Sequence, residues 1–162
     1  MSETWVLNAS PLILFARINR LDLIHQLAGR VMVPDAVIAE IRAGEADDPF
    51  ARVGLDFAEP NRTADSAVPD SVDHWDLGFG ETQVIVQALH ASAWAALDDL
   101  AARRCAATHQ IPVIGSMGIV LRAKSKGLIE TAAPWIEKLK IAGMYADDGL
   151  IQKVLAITGE SL

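Results

Sequence analysis

Four consecutive apolar residues, Trp94-Ala95-Ala96-Leu97, stop abruptly at Asp98-Asp99. The run is too short for a helix and has no polar alternation, so it reads as a strand covered on both faces, as in a parallel sheet. Its surroundings agree. Gly78-Phe79-Gly80-Glu81 opens a helix with Val84, Ile85, Ala88 and Leu89 on one side. Leu100 to His109 form another, before Ile111-Pro112-Val113-Ile114 gives a strand that ends at Gly115-Ser116. Earlier, Trp5-Val6-Leu7 stops at Asn8, and Val31-Met32-Val33 runs into Pro34. Strands that alternate with helices need crossover connections, which set helices on both faces of a parallel sheet. The fold class is therefore α/β, with a central parallel sheet flanked by helices.

Local signals bound the helices. Ser10 is the expected N-cap of the first, with Pro11 at its first position. Leu12, Phe15 and Ile18 recur at helical spacing, and Leu21, Ile24 and Leu27 resume it after a break at Asn19-Arg20, up to Gly29. The helix after Pro34 turns Val37, Ile38 and Ile41 inward, leaves Glu40 on its flank and ends at Gly44. Further helical patterns run over 117–126, 134–142 and 147–157. Residues 45–73 are harder: Phe50, Val53, Leu55 and Phe57 suit a helix that Pro49, Gly54 and Pro60 break, and 64–72 reads as a loop or short edge strand. No linker divides the chain, so one domain is expected over 1–162, with 134–162 as a C-terminal helical extension.

Composition narrows the function. A chain of 162 residues that is 51% apolar can bury one sizeable core. Its single cysteine, Cys105, forms no internal disulfide, and the start Met1-Ser2-Glu3-Thr4-Trp5 lacks the features of a signal peptide. No apolar run approaches the roughly 20 residues of a membrane span. A cytoplasmic protein with no membrane association is the expectation. The net charge of −7 excludes loose electrostatic binding of nucleic acid. It does not exclude an enzyme that meets phosphate through a metal ion.

Open parallel sheets bind ligands beyond the carboxyl ends of their strands. Asn8 offers an amide oxygen there, and Asp98 and Asp99 offer carboxylates. Glu81, at a helix start, and Glu40, in a helix that follows a strand, reach the same pole if those helices pack back across the sheet. Each has a plainer role. Glu81 suits a first-turn acid, Glu40 a solvated flank, one of Asp98 and Asp99 the cap of the next helix, and Asn8 a turn. Their joint placement points to a divalent-metal site. His25, His74, His90 and His109 lack zinc-ligand spacing, and Cys105 suits a small core residue.

Val6-Leu7-Asn8-Ala9-Ser10-Pro11-Leu12-Ile13 with Leu21-Asp22-Leu23-Ile24 resembles the opening of PIN-domain proteins. Val33 to Ile41, Gly80-Glu81, and Leu97 to Arg104 with Val113 to Ser116 are similar to their later motifs, in order over residues 4 to 130. The likeness is closest to a branch related to VapC-type toxins. It implies a PIN-like three-layer sandwich and a Mg²⁺- or Mn²⁺-dependent endoribonuclease, commonly dimeric and paired with an antitoxin. Carried over by position, the metal-binding acids are Glu40, Glu81 and Asp98, with Asp99 as neighbour or substitute. Ser10 supports the first-strand ligand, and Arg103 and Arg104 are candidate contacts for RNA or a partner protein. One position departs from the pattern: the first-strand aspartate is Asn8, a neutral ligand that weakens the hold on the ion. The alternative that follows is a catalytically weakened module that binds RNA or protein without cleavage. A flavodoxin-like nucleotide or receiver domain fits less well, because the first strand ends without an acid pair or a glycine-rich phosphate loop.

Overall fold

Trp5, Val6 and Leu7 are wholly buried because their strand, β1 (Thr4–Leu7), is the middle of a five-stranded sheet. The computed structural model describes residues 3–160. After β1 come α1 (Ala9–Arg17) and α2 (Leu21–Leu27), then β2 (Arg30–Pro34) with α3 (Asp35–Ala43) and α4 (Ala51–Ala58). The edge strand β3 (Arg62–Thr63) leads through α5 (Asp70–Asp73) to α6 (Phe79–Ala91) and β4 (Trp94–Ala96). Next are α7 (Leu100–Thr108), β5 (Val113–Ile114) and α8 (Ser116–Ser125), and α9 (Ala133–Ile141) and α10 (Asp148–Thr158) complete the chain.

The strand order is β3-β2-β1-β4-β5 and every pairing is parallel. Trp5 lies beside Trp94 and Val31, and Leu7 beside Ala96. The chain leaves β1 towards β2 and later returns to its other side as β4. That reversal opens a crevice at the carboxyl ends of β1 and β4, where Asn8 and Asp98 lie. The sheet flanked by helices is the α/β fold expected from sequence.

Some local expectations are corrected. Helix α1 begins at Ala9, one residue before Ser10, so Asn8 is its N-cap and makes no side-chain cap. Pro11 lies in the first turn, where a missing N–H costs nothing, and the Ser10 hydroxyl is left free for another partner. The supposed breakers of α4 bound it instead: Pro49 precedes it, and Pro60 follows in a 3-10 turn over Glu59–Asn61. Gly54 sits inside because α4 crosses α1 closely there. A Cβ at that position would lie 3.0 Å from Leu12 Cδ2 and 3.2 Å from Ile13 Cδ1. Leu55 of α4 is buried, whereas Val53 and the N-cap residue Phe50 face water, and so does Leu89 on α6.

Two buried glutamines on α6 explain how the polar chain after β3 is held. Gln83 accepts from the Ser66 N–H at 2.9 Å and donates to the Ser66 carbonyl at 2.8 Å. Gln87 donates to the Ala64 carbonyl at 3.0 Å and accepts from the Thr63 hydroxyl. The amides thus stand in for a neighbouring strand. In the C-terminal helices, Ile136, Leu139, Ile151 and Leu155 are fully buried within the same core as the sheet. Glu160 accepts from the N–H groups of Ala132 and Ala133 at the start of α9 and pairs with Lys124. No helix among the described residues is long and apolar enough to cross a membrane.

Candidate active site

Asn8 continues the β1–β4 ladder by one residue, its N–H donating to the Ala96 carbonyl at 3.2 Å. That fixes its side chain at the sheet crevice, where the residue is only 5% exposed. Its Oδ1 is buried and has no hydrogen-bond partner. A buried acceptor left this way costs about 1–3 kcal/mol, so the oxygen suits a site that an incoming donor or cation completes.

Glu40 approaches the same point from α3. Gly80, the second residue of α6, is where the two meet: a Cβ there would lie 2.9 Å from Glu40 Oε2 and 3.3 Å from Asn8 Oδ1. Its φ is ordinary, so the glycine is needed for room. Without it the two oxygens could not share the space above α6.

Glu81 follows at the third helical position, three residues after the N-cap Gly78, whose N–H favours its charged form as in a capping-box arrangement. Burial raises its carboxyl above the ordinary range, and the negative charge of Asp99 and then that of Glu40 push it the same way, against the Gly78 N–H. Three acids from α3, α6 and the end of β4 therefore share one electrostatic environment.

The adjacent aspartates have different neighbours. Asp98 Oδ1 accepts from the Ser116 N–H at 2.7 Å, while Oδ2 accepts from the hydroxyls of Ser116 at 2.7 Å and Ser10 at 2.9 Å. Ser10 thus serves Asp98, across the crevice, instead of the first-strand ligand Asn8. Asp99 caps α7 by accepting from the Ala102 N–H at 2.9 Å, and it is the acid whose charge Glu81 feels most. Gly80 at a helix start and Gly115-Ser116 at a strand end stand out in the sequence, but what each does there does not. Glycines before a Glu or a Ser at strand or helix ends were the available signal, but their meaning is steric and needs the neighbouring elements.

A cavity of about 1040 Å³ opens beside Asp98 and Asp99, with Ser10, Gly115, Tyr145 and Leu150 also in its wall. Arg103 lines it; Arg104 does not.

The donors in reach are all oxygens, the chemistry that Mg²⁺ and Mn²⁺ prefer. Among the described residues no three Asp, Glu, His or Cys side chains gather closely enough to hold an ion by themselves. The unpartnered Asn8 oxygen beside Glu40 is the feature that fits one, with Glu81 and Asp99 nearby.

A comparison with curated proteins finds no match. A family model, DUF3368, described as a PIN domain, matches residues 4–160. PIN domains are generally nucleases that act on RNA and typically use divalent metal ions. The match extends from the first residue of β1 through α10 and includes every acid of the crevice. The chain belongs to the PIN-domain family.

Proposed function

We propose that this chain is a Mg²⁺- or Mn²⁺-dependent endoribonuclease, the toxin of a toxin–antitoxin pair, working in the cytoplasm as a homodimer. The observation that carries the nuclease reading is the buried, partnerless Asn8 oxygen beside Glu40 at the carboxyl end of the central strand. The VapC-like motifs support the toxin, antitoxin and dimer assignments.

Asn8, Glu40 and Glu81 would hold the ion, with Asp99 in the place expected for Asp98, whose oxygens accept from Ser10 and Ser116. When bound, it lowers the pKa of water and neutralises charge on the scissile phosphate. Asp98 is a positioning residue: its three hydrogen bonds tie the ends of β1, β4 and β5 together and fix the backbone that carries Asp99 and Asn8. Burial, and then the charges of Asp99 and Glu40, disfavour the Glu81 carboxylate, a penalty that a bound dication would relieve.

The test is cleavage of a labelled RNA by the purified chain in rising Mg²⁺ and Mn²⁺, beside Glu81→Gln and Asp99→Asn. Metal-dependent cleavage lost in both variants is expected. The neutral Asn8 favours a second reading, a module that binds RNA or a protein partner without cutting. RNA binding with no cleavage at any metal concentration would select it. For the toxin role, expression of the chain should arrest growth, and a protein encoded beside it should relieve the arrest. Growth unaffected by an active nuclease would remove that assignment.

A further inference from the structure

The geometry points to a second reactive centre, at the far end of α7 from the acidic pole. There Ser71, with His109 as its base, accepts an acyl group from an uncharged activated ester or thioester. His109 follows Asp99 by ten residues, about 15 Å along a helix, and neither member of the pair has a part in the metal reading.

Ser71 and His109 are 38 residues apart and are brought together by two anchored elements. Val72, next to Ser71 on α5, is buried, and so are Cys105 and Ala106 on α7. Ser71 Oγ lies 3.0 Å from His109 Nε2. Such a contact activates a serine only if Nε2 carries the lone pair, and the other side of the ring decides that. His109 Nδ1 lies 3.0 Å from the Cys105 carbonyl, which can only accept. It is also 3.1 Å from the Thr108 hydroxyl, whose own proton goes to that same carbonyl at 2.6 Å. Both neighbours therefore draw the ring proton to Nδ1. In the neutral imidazole Nε2 is left as acceptor, and Ser71 donates to it. Nucleophile, base and orienting acceptor thus stand in a line, with a main-chain carbonyl as the third member.

The charge that develops is also provided for. His109 is the C-cap of α7, and the carbonyl end of a helix stabilises the positive charge that the ring takes up during reaction. In the transfer, Ser71 Oγ bonds to the acyl carbon as its proton passes to Nε2. The C–O or C–S bond of the donor then breaks, and the departing oxygen or sulfur takes that proton, which returns the ring to neutral. Ser71 is exposed, so the donor arrives from solvent. Asp70 and Asp73 flank it in the same turn and repel an anionic donor, which is why the acyl group is an uncharged one.

The experiment incubates the full chain in EDTA with p-nitrophenyl acetate and follows acetylation residue by residue, by peptide mass mapping. Ser92 and Ser125 are exposed serines with no histidine partner among the described residues, and they serve as controls within the same molecule. Ser71 should be acetylated about a hundredfold faster than either, the lower end of what a positioned base contributes. His109→Gln, which leaves an acceptor beside the hydroxyl, should bring Ser71 down to the control rate, and Ser71→Ala should remove the fast label. Equal labelling of the three serines in wild type would overturn the proposal, and that comparison needs no variant to fold. Label on the His109 ring alone would overturn it too, as would fast labelling of Ser71 that survives His109→Gln. With EDTA present throughout, failure of the nuclease reading leaves these outcomes unchanged.

Discussion

Replacing Asn8 with aspartate restores the charge that the family's pattern has at the end of its first strand, and the surroundings of the residue set the size of the effect. Asn8 Oδ1 and Glu40 Oε2 both lie within 3.3 Å of one point above Gly80. The two oxygens are therefore no more than about 6 Å apart, and charges at that separation interact by about 3 kcal/mol at an effective dielectric of 20. This is equivalent to about two pKa units, and burial adds to it in the same direction. The new carboxyl would therefore titrate well above the ordinary aspartate range in the metal-free fold. A carboxyl whose folded pKa is raised costs no stability below its unfolded value, and the cost grows as pH rises through the folded value. In EDTA, Asn8→Asp should match wild type in acid and melt lower by about 6–12 °C in mildly alkaline buffer, at 2–4 °C per kcal/mol for a domain of this size.

A dication reverses the sign, because it faces one more carboxylate in the variant. The gross attraction is several kcal/mol and solvation removes most of it. A tightening of Mn²⁺ binding by about ten- to a hundredfold, or about 1.4–2.8 kcal/mol, is the expectation. Thermal melts in EDTA and in Mn²⁺ over a pH series, with calorimetric titration of Mn²⁺, measure both halves. The refuting result is a variant that loses no stability with rising pH when metal-free and binds Mn²⁺ no better than wild type. Asn8 would then not face the ion.

Other substitutions probe the remaining parts. Glu81→Gln should raise the melting temperature in EDTA at neutral pH, since the wild-type carboxyl is raised chiefly by burial and then by Asp99 and Glu40, while metal-dependent cleavage is lost. An unchanged melting temperature across pH would show that the crowding is absent. Gly80→Ala forces aside Glu40 Oε2, the free end of an exposed chain, so stability should change by less than about 1 kcal/mol while Mn²⁺ affinity falls at least tenfold in calorimetry. Glu160 is held down to about 2 by Lys124 and by the N–H groups of Ala133 and Ala132. Its contribution is complete above the unfolded carboxyl range and is lost as pH falls towards 2. Glu160→Gln should therefore cost about 1–2 kcal/mol at neutral pH, and denaturant melts should show that gap closing in acid.

The parallel sheet could be read from sequence because each strand is a short apolar run closed by a polar residue: Leu7 by Asn8, Leu97 by Asp98, Ile114 by Gly115-Ser116. These boundaries reflect burial on both faces and need no knowledge of neighbours. Residues 45–73 could not be read in this way. Gly54 looks like a breaker until Leu12 and Ile13 are brought against it, and the polar stretch after β3 owes its order to Gln83 and Gln87, more than fifteen residues later. Where long-range partners override local preference, periodicity misleads.

The acids follow the same division. Asn8, Glu40, Glu81 and the Asp98-Asp99 pair stand out in the sequence as oxygen donors, since each follows a strand end or lies in a helix. Which aspartate bears on Glu81 does not, because spacing cannot separate adjacent carboxylates. The hydrogen bonds do. Asp98 is taken up by Ser10 and Ser116, after β1 and β5, whereas Asp99 caps α7 and is the acid whose charge bears most on Glu81. One carboxylate secures the strand ends and the other adds charge to the pole. Exchanging Asp98 for asparagine should therefore disturb the fold more than the charge of Glu81, and exchanging Asp99 should do the reverse.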